Sequence, residues 1–275
     1  MAGVSSESLT KALTELEAKL PFASLQLAKE LFGILGTVDS SAGLRRALTD
    51  PSRSGEEKSA LIRQLFSGKV STEAAEITAG LASSRWASAR DIGDALETLA
   101  ATVVIAVAEN KSAVSASGIT GLEALENDLF SFNQAVASSH EVQRALSEPQ
   151  ASAAAKISLA ERLVPGASEE AKVLIGQAVA QPRGIKATRL VARFAELAAK
   201  RQQRWIATVT VARPLTDAQL SRLQSGLNSL YGRELKINVK LDPLLIGGIR
   251  VQVGDEVLDA SVLTRLGELQ RQLAG

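Results

Sequence analysis

The residues able to do chemistry in this 275-residue chain are few and poorly spaced for it. Cysteine is absent and there is one histidine, His140, which removes thiolate catalysis, Cys/His zinc sites and any arrangement of two imidazoles. His140 stands beside Glu141, near the expected end of a helix, where a C-terminal cation or an ordinary surface imidazole accounts for it. Gly68-Lys69 resembles the end of a phosphate loop. Val70, however, replaces the hydroxyl residue that must bind magnesium, and Arg63 replaces the first glycine. No G-x-G-x-x-G and no G-x-S-x-G is present. Asp242, Asp255 and Asp259 invite a cation-site reading, but turn and cap duties explain them: Asp242 precedes Pro243, Asp255 lies in a hairpin turn and Asp259 precedes the last helix. Gly247-Gly248 sits between a loop and a strand, not at a helix N-terminus, so it meets a backbone need for positive φ or close approach and cradles no phosphate. No catalytic, cofactor-binding or metal residue is assigned, and no cofactor is expected.

Composition points the same way. Hydrophobic residues make up 45% and charged residues 22%, enough to build sizeable cores, while aromatics at 3% leave little for stacking on bases or flavins. With 31 basic against 30 acidic residues the whole chain has no field to hold nucleic acid. Charge is nevertheless uneven: residues 183 to 204 carry 7 basic against 1 acidic, a solvated helix surface or a contact for an acidic partner helix. The longest uncharged run, about Thr98 to Ala108 apart from its flanks, is short of a membrane span, and the N-terminus lacks a signal-peptide pattern, so a cytoplasmic protein is expected.

The elements behind these residues are mostly helices. Leu9, Leu13, Leu16 and Leu20 keep one helical face until Pro21, and five further helices are expected around Leu25–Leu35, Ser40–Leu48, Leu61–Phe66, Thr72–Leu81 and Ala89–Ala108. The unit then recurs. Ala47-Leu48-Thr49-Asp50-Pro51 returns 98 positions later as Ala145-Leu146-Ser147-Glu148-Pro149, and the same shift pairs Lys58 with Lys156, Leu65 with Leu163, Arg85 with Arg183 and Leu96 with Phe194, with a one-residue gap near Ser71 and Ser168. Such a period is too long for a solenoid repeat and implies two whole bundles in series. From Trp205 the texture changes to β-branched WIATVTVA, then a helix opened by Thr216, then alternating Leu235, Ile237, Val239 and Leu241, a strand pair around Gly254-Asp255 and a last helix. The fold class is mainly α: two tandem six-helix bundles, 1–108 and 109–204, followed by a small α+β module, 205–275.

The run Leu241-Asp242-Pro243-Leu244-Leu245-Ile246-Gly247-Gly248, continued through Gly254-Asp255 to Asp259-Ala260-Ser261, resembles the C-terminal signature of the delta subunit family of F-type ATP synthases, whose mitochondrial counterpart is the oligomycin sensitivity conferral protein. Asp242, Gly247, Gly248, Gly254, Asp259 and Ser261 carry that signature. The Leu-x-x-Pro element and the following Lys-x-x-Leu helix are similar to the family's N-terminal bundle, although the usual member has one bundle and this chain has two. The resemblance implies a non-catalytic connector at the cytoplasmic face of the plasma membrane, peripheral to it. It would join the catalytic head to the peripheral stalk b chains. It further implies a groove between the first and fifth helices for the N-terminal helix of one or two alpha subunits, with Leu9, Ala12, Leu13, Ala75, Thr78 and Ala79 as candidates. The last helix, with Leu266, Leu269 and Leu273, is the candidate face for the stalk. A helical adaptor with unrelated partners is the alternative, and an enzyme would have to work with carboxylates alone.

Overall fold

A computed structural model describes residues 3–111, 120–203, 206–231, 235–242, 245, 248–253 and 256–259. The chain divides into two units, 1–198 and 199–275.

In the first unit, α1 (Val4–Glu17) leads through a 3₁₀ turn (Leu20–Phe22) to α2 (Leu25–Ser40), α3 (Ala42–Thr49), α4 (Gly55–Phe66), α5 (Thr72–Ser83) and α6 (Asp91–Asn110). The second half adds α7 (Gly121–Ala137), α8 (His140–Ser147), α9 (Ala153–Leu163), α10 (Glu169–Ala180) and α11 (Ala187–Gln203). Helix starts follow local chemistry. Ser24, Ser41, Ser54, Ser71, Thr120, Ser139, Ser152 and Ser168 all accept a backbone N–H from the first turn, each such cap being worth about 1 kcal/mol. His140 therefore opens α8 and does not end a helix, which corrects the expectation of a cation at a C-terminus.

The repeat extends to side-chain bonding. Glu30 on α2 accepts from the backbone N and Oγ of Ser71, at 3.0 and 2.5 Å, and Asp128 on α7, 98 positions on, accepts from N and Oγ of Ser168 at 2.8 and 2.7 Å. Arg45 donates to the carbonyls of Val38 and Asp39, as Gln143 does to those of Val136 and Ala137. The two halves nevertheless share one core, which runs without a break from Leu16 to Ala198. The expected boundary at 108/109 falls inside α6, which packs on α2 and α5 and also on α7 and α10. Fourteen of its 20 residues are buried, because an apolar helix with two apolar faces is covered from both sides. The opening helix expected between 108 and 121 begins as the end of α6; residues 112–119 lie outside the described residues.

In the second unit, β1 (Ile206–Val211) and β2 (Lys236–Leu241) are parallel, joined through α12 (Asp217–Tyr231), while β3 (Ile249–Val253) and β4 (Glu256–Asp259) are antiparallel, in the order β2-β1-β3-β4. A parallel pair requires such a crossover. Thr216 and Gln219 form the expected reciprocal cap of α12. Ala207, Val209, Val211, Val251 and Val253 pack with Leu227 and Leu235. Val239 and Leu241, expected inward, are exposed, because β2 is an edge strand. Trp205 and the expected last helix lie outside the described residues.

Candidate functional site

The candidate groove lies along α1 and α5, which pack together within the first half. Only three residues of α1 are buried, Ser5, Ser8 and Leu16, and the serines are anchors: Ser5 Oγ donates to Asp91 at 2.6 Å and Ser8 Oγ to the Arg85 carbonyl at 2.7 Å. Leu9, Ala12 and Leu13 are half-buried against the core, and Ala75 on α5 is half-buried. Thr78 and Ala79 are fully enclosed, with Thr78 Oγ1 bonded to the Ala74 carbonyl, so these two belong to the bundle interior. The corresponding line in the second half is less apolar. On α6 the one apolar residue left half-buried is Val107, and Lys172, which stands at the place of Ala75, is held by Glu169 at 2.8 Å. Lys111, at the end of α6, is also engaged, 2.8 Å from the buried Glu170 carboxylate.

A second constellation escaped the sequence reading. The turn after α10 places Arg183 at φ 52, a left-handed conformation costly for a residue with a Cβ, and sends its guanidinium back onto the first half. Arg183 reaches Asp39 of α2 at 2.5 Å, Asp94 of α6 at 2.7 Å and Glu97 of α6 at 3.5 Å, and Arg193 lies 3.8 Å from Glu97. Two glycines make room. A Cβ on Gly93 would stand 2.5 Å from Arg183 Nη2, and one on Gly36 would stand 2.9 Å from Gln181 Nε2. Burial pushes the Glu97 carboxyl above its ordinary range, although Arg183 and Arg193 pull it down, and one of its oxygens has no hydrogen-bond partner. Burial acts to lower the Arg183 pKa, but Glu97, Asp39 and Asp94 outweigh it and the guanidinium stays charged. The available signal was Asp94 and Glu97, three apart on a helix rich in apolar residues, together with the basic run 183–204. Of that basic run, read as a solvated surface or a contact for an acidic helix, Arg183 and Arg193 meet acids of the same chain, on α2 and α6.

At the family signature, Gly248 adopts φ 83, the positive value expected of it. Asp242 makes a turn, its carbonyl accepting from Leu245 N at 3.0 Å. Asp242 follows β2 and Asp259 ends β4, on opposite edge strands of the sheet. Among the described residues no group of three or more metal-ligating side chains is found. Gly247, Gly254, Asp255, Ser261, Leu266, Leu269 and Leu273 lie outside the described residues.

Comparison with known proteins decides the family. The ATP synthase delta (OSCP) subunit family matches residues 106–273. The ATP synthase subunit delta of Arthrobacter sp. (strain FB24) is 86% identical over 275 residues, covering 100% of both chains. That of Renibacterium salmoninarum is 66% identical, again over 100% of both. This chain belongs to the ATP synthase delta (OSCP) subunit family.

As a member of that family it is a stator component of ATP synthase. Among the described residues no helix is long and apolar enough to cross a membrane. The family match begins at residue 106, inside α6, so the shared family region opens on the helix that the two halves have in common. These relatives nonetheless align from end to end, so the region before residue 106 is shared with them.

Proposed function

We propose that this delta-family chain is a non-catalytic connector, at the cytoplasmic face of a bacterial plasma membrane, between the catalytic head of a proton-translocating F-type ATP synthase and its b-type peripheral stalk. Its two helical copies, 1–108 and 109–204 by sequence, act as a head-binding arm, and 205–275 acts as the stalk-binding module. The α1–α5 groove takes the N-terminal helix of one alpha subunit, an amphipathic helix laid into an apolar furrow.

The observation that carries this reading is the contrast between the grooves. Leu9, Ala12, Leu13 and Ala75 remain half-buried along α1 and α5, whereas α6 has almost no apolar surface left and Lys172 replaces Ala75. Stalk contact through Leu266, Leu269 and Leu273 is supported by the exposed Leu241 and Val257 in the same unit. Titration calorimetry of a synthetic alpha N-terminal peptide into the full chain tests the head contact. One site is expected, weakened at least about tenfold by Leu13→Glu with an unchanged circular dichroism spectrum, a loss of about 1.4 kcal/mol. A folded wild-type chain that does not bind the peptide overturns the assignment.

A further inference from the structure

The turns after α5 and after α10 are equivalent by sequence, yet they leave different surfaces behind them. In the first copy Trp86 is buried, its Nε1 donating to the Leu81 carbonyl at 3.1 Å, and Lys58 is buried too, its Nζ donating to the Ser84 carbonyl at 3.1 Å. Indole and ammonium fill part of that corner, and what stays open, about 630 Å³, is lined by Asp39, Arg45, Ala89 and Arg90 with Arg183 from the second copy. In the second copy Gly184 stands 98 positions after Trp86, and Lys156 takes the place of Lys58. The corner is now an open cleft of about 830 Å³ between α7, α8, α9 and the turn before α11. Its charged lining is Arg144, Lys156 and Lys186, with His140 beside them and no carboxylate, and the apolar lining includes Leu146 and Ile185. Of these, Lys186 has replaced Ser88 and His140 has replaced Ala42, so two positions uncharged in the first copy are basic or titratable here. Among the described residues Arg144, Lys156 and Lys186 form no ion pair, while other cations of this half, Lys111, Lys172 and Arg183, do. The buried Oδ1 of Asn133, at the edge of the same cleft, has no hydrogen-bond partner.

We infer that this cleft is a docking surface for an acidic polypeptide segment of another subunit of the complex, one that presents at least two carboxylates beside an apolar side chain. The carboxylates answer the unpaired Arg144, Lys156 and Lys186, and the apolar side chain answers Leu146 and Ile185. The space exceeds what a single inorganic anion needs, and it has neither a glycine-rich cradle nor an aromatic platform for a nucleotide. This contact is separate from the α1–α5 groove and lies on the copy that is poorer in exposed apolar surface.

The test uses the full chain in the assembled complex, with the photo-crosslinking residue p-benzoylphenylalanine at Ser147 in the cleft and, separately, at its first-copy counterpart Thr49. Expected is a Ser147 adduct with a peptide holding two or more Asp or Glu within about one helical turn, not formed from Thr49. Its yield should drop at least about fivefold with Lys156→Glu/Lys186→Glu, and also between low and high salt as screening shortens the reach of the charges. If the charge-reversed protein does not fold, Lys156→Gln/Lys186→Gln is read instead, with a drop of at least about twofold expected for two lost charges. A lipid adduct, an adduct with a peptide lacking acidic residues, no polypeptide adduct in an assembled complex, or a yield indifferent to charge and salt each overturns the inference.

Discussion

Residues 83–88 and 181–186 are the same turn in two copies of one helical layout, and they face opposite ways. The first closes on its own half: Trp86 fills part of the corner and Arg85 is left exposed. The second opens its own corner at Gly184 and sends Arg183 across to Asp39, Asp94 and Glu97. The reciprocal change sits on the sixth helix of each copy. Gly93, Asp94 and Glu97 of α6 correspond to Val191, Ala192 and Ala195 of α11, so the first copy supplies space and acid while the second supplies the base. The turn at 181–186 thus ties the second half of the helical unit to the first.

That comparison breaks most visibly at the two arginines. Arg183→Ala takes from Asp39 its cation and leaves Asp94 and Glu97 only the longer contacts to Arg90 and Arg193, and loss of one partner of a buried ion pair costs about 3–5 kcal/mol. Arg85→Ala is expected to stay within about 0.5 kcal/mol of wild type, since the exposed side chain contributes mainly repulsion on Lys58. Urea unfolding of the two variants checks this. Equal losses would mean that the turns are still equivalent.

Glycine gives the next largest contrast. Gly93→Ala puts a Cβ against the Arg183 guanidinium and should cost about 1–3 kcal/mol through displacement of the side chain. Gly33→Ala, on an exposed stretch of α2 with nothing within 4 Å of the added carbon, should instead gain about 0.5–1 kcal/mol from helix propensity. Thermal melts of the pair should move in opposite directions. A stable Gly93→Ala would show that the guanidinium is not confined.

Much of the architecture was readable because its signals are local. The stop before Pro51, the capping box at Thr216 and the 98-residue echo each depend on residues close together or on a fixed offset. The shared core was not readable in the same way. An apolar stretch such as Leu96–Ala108 looks alike whether one bundle covers it or two, and periodicity cannot say what lies on the far side. Thr78 and Ala79 failed as groove residues for a related reason: small side chains on α5 suit a groove floor and a tight interior equally well. Arg183 pairs with residues 86 to 144 positions away, and no local pattern joins them.

If the α1–α5 face takes the alpha helix as proposed, a charge should matter there and not at the equivalent place on the second copy. With the alpha peptide, Leu13→Glu is expected to lose at least about tenfold in affinity, while Lys172→Glu on the second copy should change it by less than about twofold. The reverse order would move the head contact to α10 and the end of α6, which the family match covers.

The smallest effect separates two carboxylates of the first copy by the sign of their pH dependence. Burial raises the Glu97 pKa against the pull of Arg183 and Arg193. Between the ordinary carboxylate value and the raised one, the folded state therefore holds more of this proton than the unfolded state. Stability from this group is present at the acid side of that interval and falls as pH rises through it. Glu30 behaves oppositely: hydrogen bonds from Ser71 and Gln26 lower its pKa, so its contribution is present above the ordinary value and is lost as pH falls through the lowered one. Glu97→Gln removes the first titration and leaves Asp39 and Asp94 to hold Arg183. Across urea unfolding from about pH 4 to pH 7 the stability of Glu97→Gln relative to wild type should rise with pH and then level off, by about 1.4 kcal/mol for each unit by which Glu97 is raised. Glu30→Gln should show a relative loss that shrinks toward acid. A flat difference for Glu97→Gln would mean that the two arginines fully cancel the burial of the carboxylate, and that α6 meets α11 across a balanced ion cluster.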